Sequence, residues 1–262
     1  MEIIKEYCAK KKLEYKNIAK DIDKKLAIIK VGNNQASERY VRNKLKDCAE
    51  AGIKSELIAY PNDIEANIVY NKINELNNND SVGGFIVQLP LPKQLNEDKI
   101  KAMIKPEKDI DGFSPDTKVL AATPNGIYTY LKDQGFEFAN KIAIVIGRSK
   151  IVGLPMAKKL LAENMTVIQM HSHTTETQKQ ELIPLADLIV VATGHRHTLT
   201  DKYKYKPTAI IMDVGINFNE EGKLCGDCDK NLPVAFQSPV PSGCGLLTRL
   251  SLMDNFIKLN TK

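Results

Sequence analysis

A chain of 262 residues with 43% hydrophobic and 26% charged side chains has the make-up of a soluble globular protein, long enough for one large domain or two modest ones. Its net charge of +5 is spread thinly, with Lys10-Lys11-Lys12 the densest run, which argues against a nucleic-acid surface. No apolar run nears the roughly 20 residues of a membrane span, the N-terminus has no secretory-signal core, and five cysteines in so long a chain speak against a disulfide scaffold.

Taken in order, the first 25 residues read as a basic, weakly amphipathic helix and Leu26 to Gly32 as a strand. Ser37 is the expected N-cap of the next helix, with Val41, Leu45, Cys48 and Ala49 as its apolar stripe and Gly52 as its stop. A strand at 54–60, a helix at 64–76 and a third strand from Gly83 to Pro92 follow, the last stopped by two prolines. Asn96 caps a helix to Ile104, and the turn-rich segment from Pro106 to Gly126 is a boundary or a functional loop. After a helix at 127–132 come a buried strand at Ile142–Ile146 and a helix with Val152, Met156, Leu160 and Leu161 on one face. Buried strands follow at 165–171, 187–194 and 209–215, and a last helix at 246–259. Alternation of strand and helix predicts an α/β protein with parallel sheets, built as two α/β units in series.

Three places carry candidate chemistry. Tyr40 and Lys44 are four apart on one helix and share a face. The nearby charges of Arg39, Arg42 and Lys46, together with partial burial, are expected to lower the pKa of Lys44 toward that of a general acid–base; a solvent-facing lysine beside a core-edge tyrosine is the plainer alternative. Gln88 interrupts an apolar run at the carboxyl end of a parallel strand, where ligands of open α/β sheets bind. Asp109 and Asp111 precede a glycine, suited either to a turn or to holding a ring with adjacent N–H donors.

The third place is Lys141 to Leu161, where a buried strand turns through Gly147 toward a helix N-terminus, an arrangement that favours a phosphate; an ordinary tight βα turn is the alternative. The glycines Gly147 and Gly153 do not follow the G-x-G-x-x-G spacing. An NAD site needs an acid about 20 residues later, yet the matching strand end offers His171, Ser172, His173 and Thr174. Arg148 in the turn suits a ribose phosphate, so NADP is expected over NAD. The pairs His171/His173 and His195/His197 read as loop polarity, Cys225-Gly226-Asp227-Cys228 as a surface hairpin, and no metal site is expected.

The segments "ASERYVRNKLKDCAEAGI", "GGFIVQLPLP", "PEKDIDGFSP", "IGRSKIVGLPMA", "HSHT", "DVGIN" and "SPVPSGCG" occur in an order and spacing that closely resemble the bifunctional methylenetetrahydrofolate dehydrogenase/methenyltetrahydrofolate cyclohydrolase family, from about Leu26 to the C-terminus. The resemblance implies a folate-binding catalytic domain at 1–122, a Rossmann-like NADP-binding domain at 123–246, a C-terminal helix at 247–262 packing back on the first, and an active site in the cleft between them. It makes Lys44 the catalytic lysine of the cyclohydrolase step, Tyr40 a stacking partner for the folate, Gln88 the residue that tunes the lysine and Asp111 the acid that holds the pterin. Pro90, Pro241 and Gly243 border the folate. Gly147, Arg148, Ser149, Val152, Gly153, Ser172, Thr193, Gly215 and Ile216 become the NADP contacts. It further implies one-carbon metabolism and purine biosynthesis, a cytoplasmic homodimer, and no nucleic-acid or membrane partner. A relative with one activity, or a folate- or nucleotide-binding sensor without turnover, is the alternative. Three departures stand out: the region before Leu26 is short and lacks the family's "DG" segment, and Ser242 and Leu246 replace a glycine and a proline.

Overall fold

The computed structural model describes residues 1–261, the side chain of Ala36 aside; Lys262, the end of the expected C-terminal helix, lies outside the described residues. The chain divides into two compact units, 9–122 with 249–262, and 1–8 with 123–248. The expected boundary placed residues 1–8 with the first unit, and they group with the second. The cause is aromatic packing: the ring of Tyr7 meets Tyr130 edge-on at 5.0 Å, and its hydroxyl donates to Asp133 at 2.9 Å.

In the first unit a three-stranded parallel sheet runs in the order β2-β1-β3, from β1 (Lys25–Val31), β2 (Ser55–Tyr60) and β3 (Val82–Val87). The central strand is apolar on both faces because both are covered. Ala27, Ile29 and Val31 pack with Val69, Ile73 and Leu76 of the helix α3 (Ala66–Asn78). The opposite face, Leu26 and Ile28, meets Cys48, Leu252 and Met253. Helix α2 (Gln35–Glu50) supplies Cys48, and the C-terminal helix Cys244–Asn260 supplies the other two. That last helix is tied down by Asn260, which donates to the Gly83 carbonyl at 3.0 Å, and by Arg249, 3.1 Å from the buried Asp47. Strand β3 is shorter than expected and ends at Val87, so Gln88 stands just beyond it, its amide N–H held by the Ile29 carbonyl at 2.8 Å.

Two local expectations change here. The N-cap of α2 is Asn34, whose side chain accepts from the Ser37 N–H at 3.0 Å; Ser37 itself is buried one turn in, with its hydroxyl on the Leu89 carbonyl. Ala49, placed in the apolar stripe, is exposed.

The second unit holds a five-stranded, all-parallel sheet of order β10-β7-β6-β4-β5. Its strands are β4 (Ile142–Ile146), β5 (Thr166–Met170), β6 (Leu188–Val191), β7 (Ile210–Asp213) and β10 (Phe236–Gln237). A small hairpin of β8 (Asn217–Phe218) and β9 (Leu224–Cys225) stands apart. The chain leaves β4 toward β5, then crosses back to place β6 on the other side of β4, which opens a crevice at the carboxyl ends of β4 and β6. Helix α6 (Gly153–Ala162) covers β4 and β5 through Met156 and Leu160; Leu161, expected on that face, is 62% exposed.

Candidate functional site

In the first unit, Lys44 and Gln88 meet. The lysine Nζ donates to the Gln88 Oε1 at 3.0 Å. The amide is held in that orientation because its Nε2 donates to the Leu89 carbonyl at 2.6 Å. Lys44 also lines a small apolar cavity with Leu26, Ile28, Cys48 and Ile86. Burial in these surroundings pushes the Lys44 pKa down, and the carboxylate of Asp111 only partly offsets it. Arg39, Arg42 and Lys46, expected to be part of the cause, all point into solvent, where water screens them. The low pKa comes from desolvation.

Asp111 is pushed the other way: burial raises its pKa, the Lys44 charge opposes the rise, and Asp109 adds to it. The two acids have separate tasks. Asp109 is fully buried and accepts the N–H groups of Gly112 at 3.0 Å and Ser114 at 2.7 Å, so it builds the turn. Asp111, which carries no such turn bonds, faces a small cavity with Phe113, Lys101 and Leu89. Tyr40, 37% exposed, and the exposed Pro90 complete the group of candidates in this unit. Asn255, which the sequence reading did not single out, fixes the acid loop: its Nδ2 donates to the carbonyls of Ile110 at 2.8 Å and Leu120 at 3.0 Å. An asparagine inside an apolar helix was the only available signal for it.

In the second unit, the candidates gather at the carboxyl end of the sheet. Gly147 follows β4 with φ of +121°, and a Cβ there would stand 2.3 Å from the Ala192 carbonyl oxygen. A Cβ on Gly153 would stand 2.2 Å from the Gly147 oxygen, so the helix start and the turn touch backbone to backbone. The Ser149 hydroxyl oxygen accepts from the N–H groups of Val152 at 3.1 Å and Gly153 at 3.3 Å, where the turn meets the start of the helix. Arg148 and Ser172 are exposed, and no acid lies on the strand end after Met170 before the helix at Glu176–Leu182. Thr193 follows β6, and Gly215 and Ile216 follow β7. Pro241 and Gly243 belong to this unit as well, and Ser242 between them has φ of +77°.

The segment Cys225 to Cys228 is a surface hairpin only in part. Cys225 ends β9, but Asp227 is fully buried and Cys228 is largely covered, with burial and the nearby Asp213 raising its thiol pKa far above the ordinary range. Asp213 is buried too; burial raises its pKa, while the backbone N–H groups of Asp227, Cys228 and Gly215 hold the ionised form. Neither aspartate is marked by a local pattern: Asp227 holds Thr193, 34 residues away, and Asp213 holds the Asp227 N–H, 14 residues away.

The catalytic-domain model of the tetrahydrofolate dehydrogenase/cyclohydrolase family matches residues 2–111, and the family's NAD(P)-binding-domain model matches residues 121–262. The bifunctional protein FolD of Oceanobacillus iheyensis is 40% identical over a 270-position alignment that covers 98% of this chain and 94% of that one. The FolD protein of Bacillus cereus is 42% identical over 246 positions, 89% of this chain and 85% of its own. Among solved structures, the bifunctional FolD dehydrogenase/cyclohydrolase of Campylobacter jejuni superposes with a TM-score of 0.93 at 38% identity, over 98% of this chain and 97% of that one. The Trypanosoma brucei FolD, solved with NADP cofactor and an inhibitor, gives 0.85 at 26% identity over 98% and 93%.

Proposed function

The chain belongs to the tetrahydrofolate dehydrogenase/cyclohydrolase family, and from that premise we propose how its own residues divide the work of two reactions. The enzyme oxidises 5,10-methylenetetrahydrofolate with NADP and hydrolyses the 5,10-methenyl product to 10-formyltetrahydrofolate. The observation that carries the residue assignment is the Lys44 Nζ held on Gln88 beside Asp111 in apolar surroundings.

In the first reaction the methylene carbon loses a hydride and becomes a cation conjugated with its two nitrogens, a change that needs no strong base. Bound NADP supplies the hydride acceptor. In the second reaction water adds to that carbon and loses a proton; one C–N bond then breaks as its nitrogen gains a proton and the new hydroxyl loses its own to become the formyl carbonyl, so one proton is released overall. Lys44, with its pKa lowered by burial, has the neutral amine needed to take the first proton and, once protonated, the acid to return it. Gln88 holds the amine in one direction through its fixed Oε1. Asp111 accepts adjacent N–H groups of the pterin, Tyr40 stacks on the folate, and Pro90, Pro241 and Gly243 border it.

For the cofactor, the residues present fit NADP. Gly147 and Gly153 bring backbone close to the turn, Arg148 is exposed for a ribose phosphate with Ser172, and no acid after β5 repels one. Ser149, Val152, Thr193, Gly215 and Ile216 supply the remaining contacts. The resemblance supports a cytoplasmic homodimer that serves one-carbon metabolism and purine biosynthesis; sedimentation of the purified chain tests the dimer. The activities are tested by following appearance of the methenyl compound with NADP and, separately, its decay when supplied. Arg148→Ala is expected to lower kcat/KM for NADP by about 10- to 100-fold, the worth of charge-assisted hydrogen bonds, with NAD little affected. Equal use of NAD and NADP by the unaltered protein contradicts the cofactor assignment.

A further inference from the structure

We propose that Asp227 is a positioning residue for NADP, holding the Thr193–Gly194 turn and the Gly215 backbone in the shape that receives the cofactor. The inference rests on the assignment of Thr193, Gly215 and Ile216 as cofactor contacts.

The carboxylate of Asp227 is fully buried and satisfied by short donors. Its Oδ2 accepts the Thr193 N–H at 2.7 Å, the Thr193 hydroxyl at 2.8 Å and the Gly194 N–H at 3.0 Å. Its Oδ1 accepts the Asn217 Nδ2 at 2.9 Å. Three donors on one oxygen come from the turn that follows β6, so this carboxylate determines where the turn's backbone sits. Gly194 at φ of +70° completes the bend. Converging donors of this kind stabilise a buried carboxylate in place of water, and removing the acceptor leaves several buried donors unpaired.

The same side chain reaches the neighbouring loop. A Cβ on Gly215 would stand 2.2 Å from the Asp227 Oδ1, so the carboxylate lies flat against the backbone that leads into Ile216. Asp213, at the end of β7, fixes Asp227 in turn: its Oδ1 accepts the N–H groups of Gly215 at 2.9 Å and Asp227 at 3.0 Å, and its Oδ2 accepts that of Cys228 at 2.9 Å. Strands β6 and β7 are parallel neighbours, and the loops beyond their carboxyl ends form one side of the ligand crevice of such a sheet. One carboxylate thus sets two adjacent loops at once. Asp227 touches neither NADP nor the reacting carbon in this account; it acts through Thr193, Gly194 and Gly215.

The test uses the full chain with Asp227→Asn and Asp227→Ala. NADP binding is titrated directly, and kcat and KM are measured for the dehydrogenase and, with methenyl substrate supplied, for the cyclohydrolase. Asp227→Asn is expected to raise both the Kd and the KM for NADP about tenfold, and Asp227→Ala further, in line with hydrogen bonds to a charged group. At saturating NADP, kcat stays within about threefold, and cyclohydrolase turnover stays within about twofold. An NADP Kd unchanged by Asp227→Asn overturns the proposal, and so does an equal loss of both activities with a lowered Tm, the signature of general destabilisation. Should both variants fail to fold, Asn217→Ala removes the Oδ1 donor, together with its bond to the Gly226 carbonyl, from outside the turn; a severalfold rise in KM for NADP supports the proposal and no change overturns it. Failure of the unaltered protein to bind NADP at all is a separate result and falls on the cofactor assignment itself.

Discussion

The end of β3 in the first unit and the end of β4 in the second do the same structural job by opposite means. Both are carboxyl ends of buried parallel strands, the place where α/β sheets receive ligands. After β3 the chain presents functional side chains, Gln88 on Lys44 with Asp111 near, and their chemistry comes from lost water: burial lowers the lysine pKa and raises that of the acid. After β4 it presents backbone. Gly147 and Gly153 let the turn and the helix start touch, while the charged group, Arg148, stays in solvent. A site built from side chains is tuned by substitution, whereas one built from backbone is broken by a single methyl group.

That contrast is sharpest at Gly153. Gly153→Ala places a Cβ 2.2 Å from the Gly147 oxygen and 2.5 Å from its carbon, both backbone, so the turn must move. NADP affinity is expected to fall by roughly 100-fold or more, as overpacking of a rigid contact costs about 1–3 kcal/mol and the displaced turn loses its ligand besides. Binding within twofold of the unaltered protein breaks the comparison from the backbone side.

A smaller, graded effect is expected from Gln88→Glu. A carboxylate on the Lys44 amine favours the ammonium form and raises the lysine pKa. Since the neutral amine is the base, the rising limb of the cyclohydrolase pH–rate profile moves to higher pH, by about one unit, and the rate below it falls about tenfold. A limb that stays in place, or moves down, shows that the lysine does not set it.

The smallest effect is at Ser242, whose φ of +77° costs a non-glycine residue roughly 1–2 kcal/mol, partly offset by the flexibility glycine brings to the unfolded chain. Ser242→Gly is expected to stabilise the protein by about 0.5 kcal/mol, a degree or two in Tm by calorimetry. A fall in Tm means that the serine hydroxyl, not the backbone, matters there.

How far these two ends could be read from the residues also differs. The strand at Ile142–Ile146 and the glycine after it are local patterns, a β-branched run and a stop, and they lie where the pattern put them. The start of the helix Ala122–Asp133 was missed by five residues because Pro124 reads as a breaker, although a first helical turn accommodates proline. The low pKa of Lys44 was expected partly for the wrong reason: Arg39 and Arg42 are close in sequence, but the helix turns them into water. Asp227 is not legible in the sequence because its partners Thr193 and Gly194 are 34 and 33 residues away. Asn and Ser both cap helices well; here Asn34 takes the cap, while the Ser37 hydroxyl is turned to the Leu89 carbonyl.

The second reaction depends on the amine of Lys44. Lys44→Met keeps the apolar stem and removes the nitrogen, so measuring cyclohydrolase turnover of supplied methenyl substrate beside direct NADP titration on this one variant tests it most directly. The expected result is a fall in hydrolysis of about 100- to 10,000-fold, the range for loss of a proton-transfer group, with NADP affinity within twofold of the unaltered protein. Hydrolysis that persists within tenfold, while NADP still binds, contradicts it.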